Sequence, residues 1–175
     1  MTDPRYPIGK FQPQPTITDE QRKEMIRQIA EAPSHLRSAV KGLSDQQLDT
    51  PYRDGGWTGR QVVHHLADSH MNAYVRIKLA MTEQDPAVKG YHENLWAELL
   101  DARTAPVGTS LRLLESLHER WAMFLQSLSV SDFSRMWRHP EHGLRNIDFL
   151  VQLYSWHGRH HTAQITGLRE RMNWK

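Results

Sequence analysis

The sequence predicts an all-α protein built as a four-helix bundle with short extra helices. Four long segments repeat apolar residues at intervals of three and four, and polar capping signals stand before most of them. No long segment alternates apolar and polar residues as a strand would, and no internal repeat is present. A chain of 175 residues with 38% hydrophobic residues can bury one sizeable core. We therefore expect one domain, residues 18–175.

Residues 1–17 are predicted to form an extended arm. Pro4, Pro7, Pro13 and Pro15 exclude a helix there. Such an arm can lie over its own bundle or over a second subunit. The second possibility leads us to expect a homodimer.

The first long helix is predicted over residues 18–43. Thr18 and Gln21 have the spacing of a capping box, in which each side chain bonds the other residue's backbone. Pro33 is expected to kink this helix. Its apolar stripe consists of Met25, Ile26, Ile29, Leu36, Val40 and Leu43.

The second long helix is predicted over residues 58–81. A short helical turn begins at Ser44, and Gly55-Gly56 then breaks the chain. Thr58 and Gln61 form a further capping signal. A loop follows, with a short helix predicted over 94–100.

The third and fourth long helices complete the bundle. The third starts near Thr109 or Ser110 and runs to Leu128, and a short helix is expected from Ser131. Residues 139–143 resemble a turn whose flanks can pair as a small hairpin. The fourth helix is predicted over 146–172.

Composition excludes several functional classes. The chain has no cysteine, so it can form neither a disulfide nor a thiolate ligand. Its net charge of +2 gives no support for nucleic-acid binding. Neither an apolar leader nor a membrane span is recognisable, so we expect a cytoplasmic protein.

The chain contains eleven histidines, and two of them are placed for metal binding. His157 and His161 fall in the same angular sector as the apolar stripe of the last helix. Histidines at positions i and i+4 have Cβ atoms about 6 Å apart, so both rings can reach one ion. The competing interpretation is a pair of hydrogen-bonded core histidines.

A third ligand is not decided by periodicity. His70 lies nearest the middle of the apolar stripe on the second long helix, so the pattern alone would select it as the ligand, with a packed core residue as the competing interpretation. His65 lies about 60° beyond the edge of that stripe. His64 points away and is expected to be exposed.

Three segments resemble a known family. They are Tyr6–Gly9, the stretch LDTPYRDGGWTGRQVVHHLADSHMNAYVRIKLAMTE at 48–83, and YSWHGRHHTAQI at 154–165. Together they are similar to the YfiT-like branch of the DinB superfamily. The resemblance extends from about residue 6 to the end.

The resemblance implies a fold and a ligand set. It implies an up-down-down-up four-helix bundle that binds one divalent metal through three histidines. Transferred to this sequence, the ligands are His65, His157 and His161. Zinc is the first choice for the ion and nickel the second, since imidazole binds both.

The resemblance also implies an enzyme, of one of two kinds. A thiol S-transferase would join a low-molecular-weight thiol, bacillithiol-like, to an electrophilic small molecule through a metal-bound thiolate. A hydrolase would use a metal-activated water. Zinc peptidases place a glutamate between their histidines, and residues 158–160 contain none, so we favour the transferase.

Further residues are assigned as hypotheses. Three arginines can bind an anionic cosubstrate, a tryptophan can line the pocket mouth, and two carboxylates can orient a ligand histidine. These residues are Arg53, Arg60, Arg159, Trp57, Asp54 and Asp68.

A non-catalytic alternative stays open. In it the metal stabilises a stress-response or binding module, and a fourth protein ligand closes the site. His64, His160 or Asp68 would supply that ligand.

Overall fold

The computed structural model describes residues 3–174, which form a bundle of four long helices. Short helices and one hairpin connect them. In chain order the elements are α1 (Asp19–Val40), α2 (Asp45–Leu48), α3 (Gly59–Thr82), α4 (Glu93–Ala97), α5 (Leu100–Thr104), α6 (Val107–Gln126), a 3₁₀ helix (Val130–Ser134), β1 (Met136–His139), β2 (Gly143–Asn146) and α7 (Ile147–Arg171).

The helix starts follow the capping residues of the sequence. The Thr18 hydroxyl accepts a hydrogen bond from the Gln21 backbone N–H, and the Gln21 side chain accepts one from the Thr18 N–H. The same reciprocal pair forms at the starts of α2 and α3. These caps satisfy N–H groups that have no partner within a helix.

The structure differs from the sequence predictions mainly at helix ends. α1 stops at Val40 rather than 43, because the chain turns at Gly42, whose φ of +77° suits glycine. It continues through Pro33 as one helix. α6 begins at Val107, two residues early, because Pro106 fixes the backbone at its N-cap. The single short helix predicted over 94–100 is two helices, α4 and α5.

The helix directions follow from contacts near their ends. Arg22 pairs with Asp148 at the starts of α1 and α7, and Arg169 bonds the Ala39 carbonyl at their ends, so these two helices are parallel. His64 bonds Ser110 near the starts of α3 and α6, which are also parallel. α3 runs opposite to α7, because His65 contacts His161 while Ser69 contacts Tyr154. This order confirms the up-down-down-up bundle.

A polar layer divides the core into two apolar clusters. The first cluster is centred on Ile29, Ala73, Ile77, Trp121, Leu125, Ile147 and Leu150. The second is centred on Leu36, Val62, Val63, Leu66, Leu111, Leu114 and Ile165. Between them on α3, α6 and α7 lie the side chains of His65, His70, His118, His157 and His161. The bundle therefore holds these five histidines at mid-height.

Two predicted features outside the long helices are present. β1 and β2 pair antiparallel, with His139 opposite Gly143, which confirms the hairpin. The described part of the arm, residues 3–17, lies along α7, where Gln14 exchanges two hydrogen bonds with the Gln152 side chain. The arm thus packs on its own bundle. No described helix is both long and apolar enough to cross a membrane.

Candidate metal centre

Three histidines from two helices converge at mid-bundle. One ring nitrogen from each of His65, His157 and His161 lies within 4.8 Å of the other two. The Nε2 atoms of His65 and His157 are 3.3 Å apart. Two nitrogens that share a tetrahedral zinc at about 2.0 to 2.1 Å are themselves about 3.3 Å apart. The spacing of this pair therefore fits a shared ion.

Close helix packing brings these side chains together. His157 and His161 are one turn apart on α7, and His65 faces them from the antiparallel α3. Between the two α7 histidines stands Gly158. A Cβ added there would lie 3.0 Å from the Ala32 Cβ and 3.6 Å from the His70 Cε1. The missing side chain leaves room for α1 beside the ligand cluster.

A hydrogen-bonded chain of histidines orients His157. The ring nitrogens pair from His157 Nδ1 to His70 Nε2 at 3.1 Å, and from His70 Nδ1 to His118 Nε2 at 2.8 Å. This series of hydrogen bonds ends at the bond between His118 Nδ1 and the Ile29 carbonyl oxygen. A carbonyl only accepts, so His118 Nδ1 donates, His70 Nδ1 donates to His118, and His157 Nδ1 donates to His70. The lone pair of His157 Nε2 is left facing the cluster.

His161 is oriented by Gln164. Its Nδ1–H donates to the Gln164 side-chain oxygen at 2.8 Å. The Gln164 amide nitrogen donates in turn to the Arg5 carbonyl and to His160 Nε2. The Arg5 carbonyl fixes which end of the amide faces His161, so the arm contributes to the orientation of this ring.

Burial keeps the three rings neutral. It lowers the pKa of His65 to about 4, and it holds the pKa values of His157 and His161 well below the usual range. Neighbouring histidines lower these pKa values further. Near neutral pH the imidazoles thus offer lone pairs, which is the form that binds metals. The donor set fits a divalent ion.

The cluster opens into a cavity of about 490 Å³. Trp57 covers one side, with its ring 4.6 Å from that of His65 and stacked on His161 at 6.2 Å. It also packs against the second apolar cluster, so it stabilises the fold as well as lining the cavity. A small molecule can reach the histidines through this cavity.

The three arginines assigned from sequence lie in different places. Arg53 lines the cavity. Arg60 is buried outside it, where its guanidinium pairs with Asp45 and Asp49. Arg159 is exposed on the other side of α7, in a groove beside α1. Only Arg53 of the three is in position to touch a ligand in the cavity.

The carboxylates assigned to orienting roles contact none of the ligand histidines within residues 3–174. Asp54 is exposed, and Asp68 is half-buried, with a pKa raised by burial to about 6. His70 and Gln164 occupy those orienting positions instead. The stripe position of His70 and the i+3 spacing of Gln164 from His161 were the signals available in the sequence.

The other candidate ligands lie apart from the cluster. His64 is buried, not exposed as predicted, because its ring bonds Ser110 and the Ala105 carbonyl. His160 stacks on Trp156 with centroids 4.3 Å apart. Within the described chain neither of them, nor Asp68, joins the three-histidine group.

Arg76 was not predicted from the sequence, although its side chain lines the cavity. His65, Ser69 and Arg76 lie within about 40° of one another around the α3 axis. This shared face of α3 lines the cavity, and Tyr154 of α7, which contacts Ser69, lines the same cavity. The signal was the angular position of Arg76 relative to His65.

The up-down-down-up topology and the three-histidine site together define a class of protein, a four-helix bundle with a candidate metal centre at mid-height. The sequence profile of the DinB superfamily matches residues 28–165. The chain belongs to the DinB superfamily.

Within this family the chain is similar to YfiT and its relatives. The structure of YfiT from Bacillus subtilis, described as a probable metal-dependent hydrolase with an unusual four-helix bundle topology, superimposes with a TM-score of 0.97 at 47% identity. That match covers 99% of this chain and 100% of YfiT. A protein of Bacillus mycoides strain KBAB4, named "putative metal-dependent hydrolase", is 54% identical over 99% of this chain and its own full length. A relative of the same name from Bacillus thuringiensis subsp. konkukian is 53% identical over the same shares.

Proposed function

We propose that this protein is a metal-dependent enzyme that holds one divalent ion on His65, His157 and His161. The observation that carries the proposal is the convergence of three neutral imidazoles on an open cavity. A site of three protein ligands leaves a coordination position free, as catalytic sites do. The names of the relatives agree with a metal-dependent enzyme.

We propose further that the reaction is transfer of a low-molecular-weight thiol to an electrophilic small molecule. A new carbon–sulfur bond forms, the bond to the leaving group breaks, and the thiol proton leaves with that group or with solvent. A divalent ion at this site would supply a Lewis acid that lowers the pKa of a bound thiol or water.

The groups around the site favour a nucleophile that needs little help from a base. Within residues 3–174 no carboxylate joins the three-histidine group, and the cavity's Glu93 and Glu141 are exposed. Water activation in metallopeptidases uses a carboxylate beside the metal. A thiol is acidic enough to react without one.

Hydrolysis is the second candidate, because it is the activity in the names of the relatives. Both candidates predict one ion per chain, zinc first and nickel second. They differ in what is consumed, since a transferase uses up thiol and a hydrolase cleaves an ester or amide without it.

The test has two parts. Protein purified without a nickel column is analysed for metal, and one ion per chain is expected. His157→Ala should abolish retention of that ion, while the matched change His35→Ala, at an exposed histidine of α1, should preserve it. Consumption of a thiol with an aryl halide is then compared with cleavage of aryl esters and amides. Metal-dependent cleavage without thiol would establish the hydrolase instead.

A further inference from the structure

Arg76 is a buried arginine without a carboxylate partner in the described chain. Its side chain is on α3, and the residue is 8% exposed. Within residues 3–174 its Nη2 donates a hydrogen bond to the Lys89 carbonyl, its guanidinium lies close to the Tyr154 hydroxyl, and its Nε–H is buried without an acceptor. The other two buried arginines, Arg22 and Arg60, each bond two aspartates. Arg76 therefore differs from Arg22 and Arg60 in lacking a carboxylate partner among the described residues.

The guanidinium belongs to the wall of the cavity that contains the histidines. Arg76 and His65 lie on the same face of α3, eleven residues apart, which places their Cα atoms about 16 Å apart along the helix. Tyr154 and His139 line the same cavity. A small molecule can thus contact Arg76 at one end and the histidines at the other.

The charge of Arg76 acts on the groups around it. Burial, together with the positive charge of Arg76, lowers the pKa of His139 to about 4. Burial raises the pKa of Tyr154, and the Ser69 hydrogen bond and then Arg76 oppose that rise. The cavity carboxylates Glu93 and Glu141 are exposed, and neither is within 4.0 Å of Arg76. Arg76 therefore forms no ion pair with a carboxylate of the described residues.

A buried, unpaired charge is unfavourable, and an anion that pairs with it recovers the lost interaction. We propose that this end of the cavity binds a carboxylate of the small-molecule substrate, with Arg76 as its specificity-determining contact. A guanidinium presents paired N–H groups that match the two oxygens of a carboxylate. The single guanidinium supplies one positive charge, which suits a carboxylate better than a doubly charged phosphate. The role of this contact in turnover rests on the proposed function, whereas the binding itself requires no metal.

Arg76 also has a structural role through Lys89, whose carbonyl it bonds. The test must therefore separate recognition of charge from support of the loop. Butyrate and its neutral analogue butyramide differ mainly in charge. We would measure binding of both to the metal-free, full-length protein by calorimetry and by NMR of the arginine Nε–H signals, with inorganic phosphate as a third probe.

Wild-type protein should bind butyrate at least tenfold more tightly than butyramide. Arg76→Gln should lower the butyrate affinity about tenfold or more, as expected for loss of a charged hydrogen-bonded pair. Arg112→Gln, at an exposed arginine of α6, should have no effect. Zinc content of Arg76→Gln should match wild type, which keeps a failure of the metal site distinguishable from a failure of this proposal.

Three results would overturn it. They are no butyrate binding by wild-type protein, equal losses of butyrate and butyramide affinity in Arg76→Gln, and tighter binding of phosphate than of butyrate. The second would assign Arg76 to loop support alone. The third would replace the carboxylate with a more highly charged ligand.

Discussion

The Nδ1–H of His70 donates a hydrogen bond to Nε2 of His118 across 2.8 Å in the middle of the bundle. The Ile29 carbonyl imposes this direction. It accepts the Nδ1–H of His118, which leaves His118 Nε2 as an acceptor for His70. A backbone atom of α1 thereby selects the tautomer of His157 on α7. Orientation of a proposed metal ligand is thus transmitted through four helices, from α1 by way of α6 and α3 to α7.

Removing His70, the middle member of this hydrogen-bonded series of histidines, should weaken metal binding. In His70→Leu the Nδ1–H of His157 has no acceptor, so the ring is free to rotate or change tautomer. We expect a 10- to 100-fold loss of zinc affinity, measured by competition with a chelator. His35→Leu, at an exposed position on α1, should change the affinity less than twofold. Equal affinities in wild type and His70→Leu would show that the chain does not orient the ligand.

The stability of the metal-free protein should fall in mild acid. Burial lowers the pKa of His118 from 6.5 to about 4, so between these values the unfolded chain binds a proton that the folded chain excludes. The free energy of unfolding therefore decreases as pH falls from 6.5 toward 4, and is insensitive to this group above 6.5. His118 alone should account for about 2 kcal/mol between pH 7 and pH 5.

Urea unfolding at these two pH values provides the measurement, and His118→Gln provides the control. Glutamine can donate to the Ile29 carbonyl and accept from His70, but it does not titrate. Its pH dependence should be smaller than that of wild type by about 2 kcal/mol. An unchanged difference between pH 7 and pH 5 would contradict the lowered pKa.

Gln164 should couple the metal site to the arm. Gln164→Leu removes the acceptor for His161 and the donor for the Arg5 carbonyl. We expect about tenfold weaker zinc binding together with faster tryptic cleavage after Arg5 and Lys10. Gln152→Leu breaks only the arm's contact with Gln14, so it should speed cleavage without changing zinc affinity. If Gln164→Leu affects neither property, the side chain orients nothing.

Two glycines of α7 should respond oppositely to alanine. At Gly158 a Cβ meets the Ala32 Cβ at 3.0 Å, whereas at Gly167 it meets only the flexible end of Arg171. Gly167→Ala should stabilise the protein by up to about 1 kcal/mol through helix propensity. Gly158→Ala gains the same propensity but overpacks the helix contact, so we expect it to be less stable than Gly167→Ala by about 1 to 3 kcal/mol. Thermal unfolding compares the two, and equal stabilities would show that α1 yields freely at this contact.

Most of the fold was predictable from local sequence features. The capping pairs at Thr18 and Thr58 act within one turn, so the helix starts near them were predicted to within a residue. The C-terminal end of α1 was placed late, because Leu43 continues the apolar stripe beyond the turn at Gly42. Periodicity reports which side of a helix is apolar, but it does not report which neighbouring helix fills the space.

The candidate site was predictable in the same uneven way. His157 and His161 share one helix, so their spacing alone placed them together. His65 stayed ambiguous with His64 and His70, because the choice depends on how α3 faces α7.

The sequence by itself determined the four long helices, the pairing of His157 with His161, and, through resemblance, the family. Only the tertiary structure decided that His70 and His118 form a chain to Ile29, and that Arg76 rather than Arg60 or Arg159 is the buried arginine of the cavity. The physical reason is the separation along the sequence over which each kind of interaction acts. Caps and helical stripes are set by residues within a few positions of one another, whereas hydrogen bonds and uncompensated charges depend on distances between helices that are far apart in the chain.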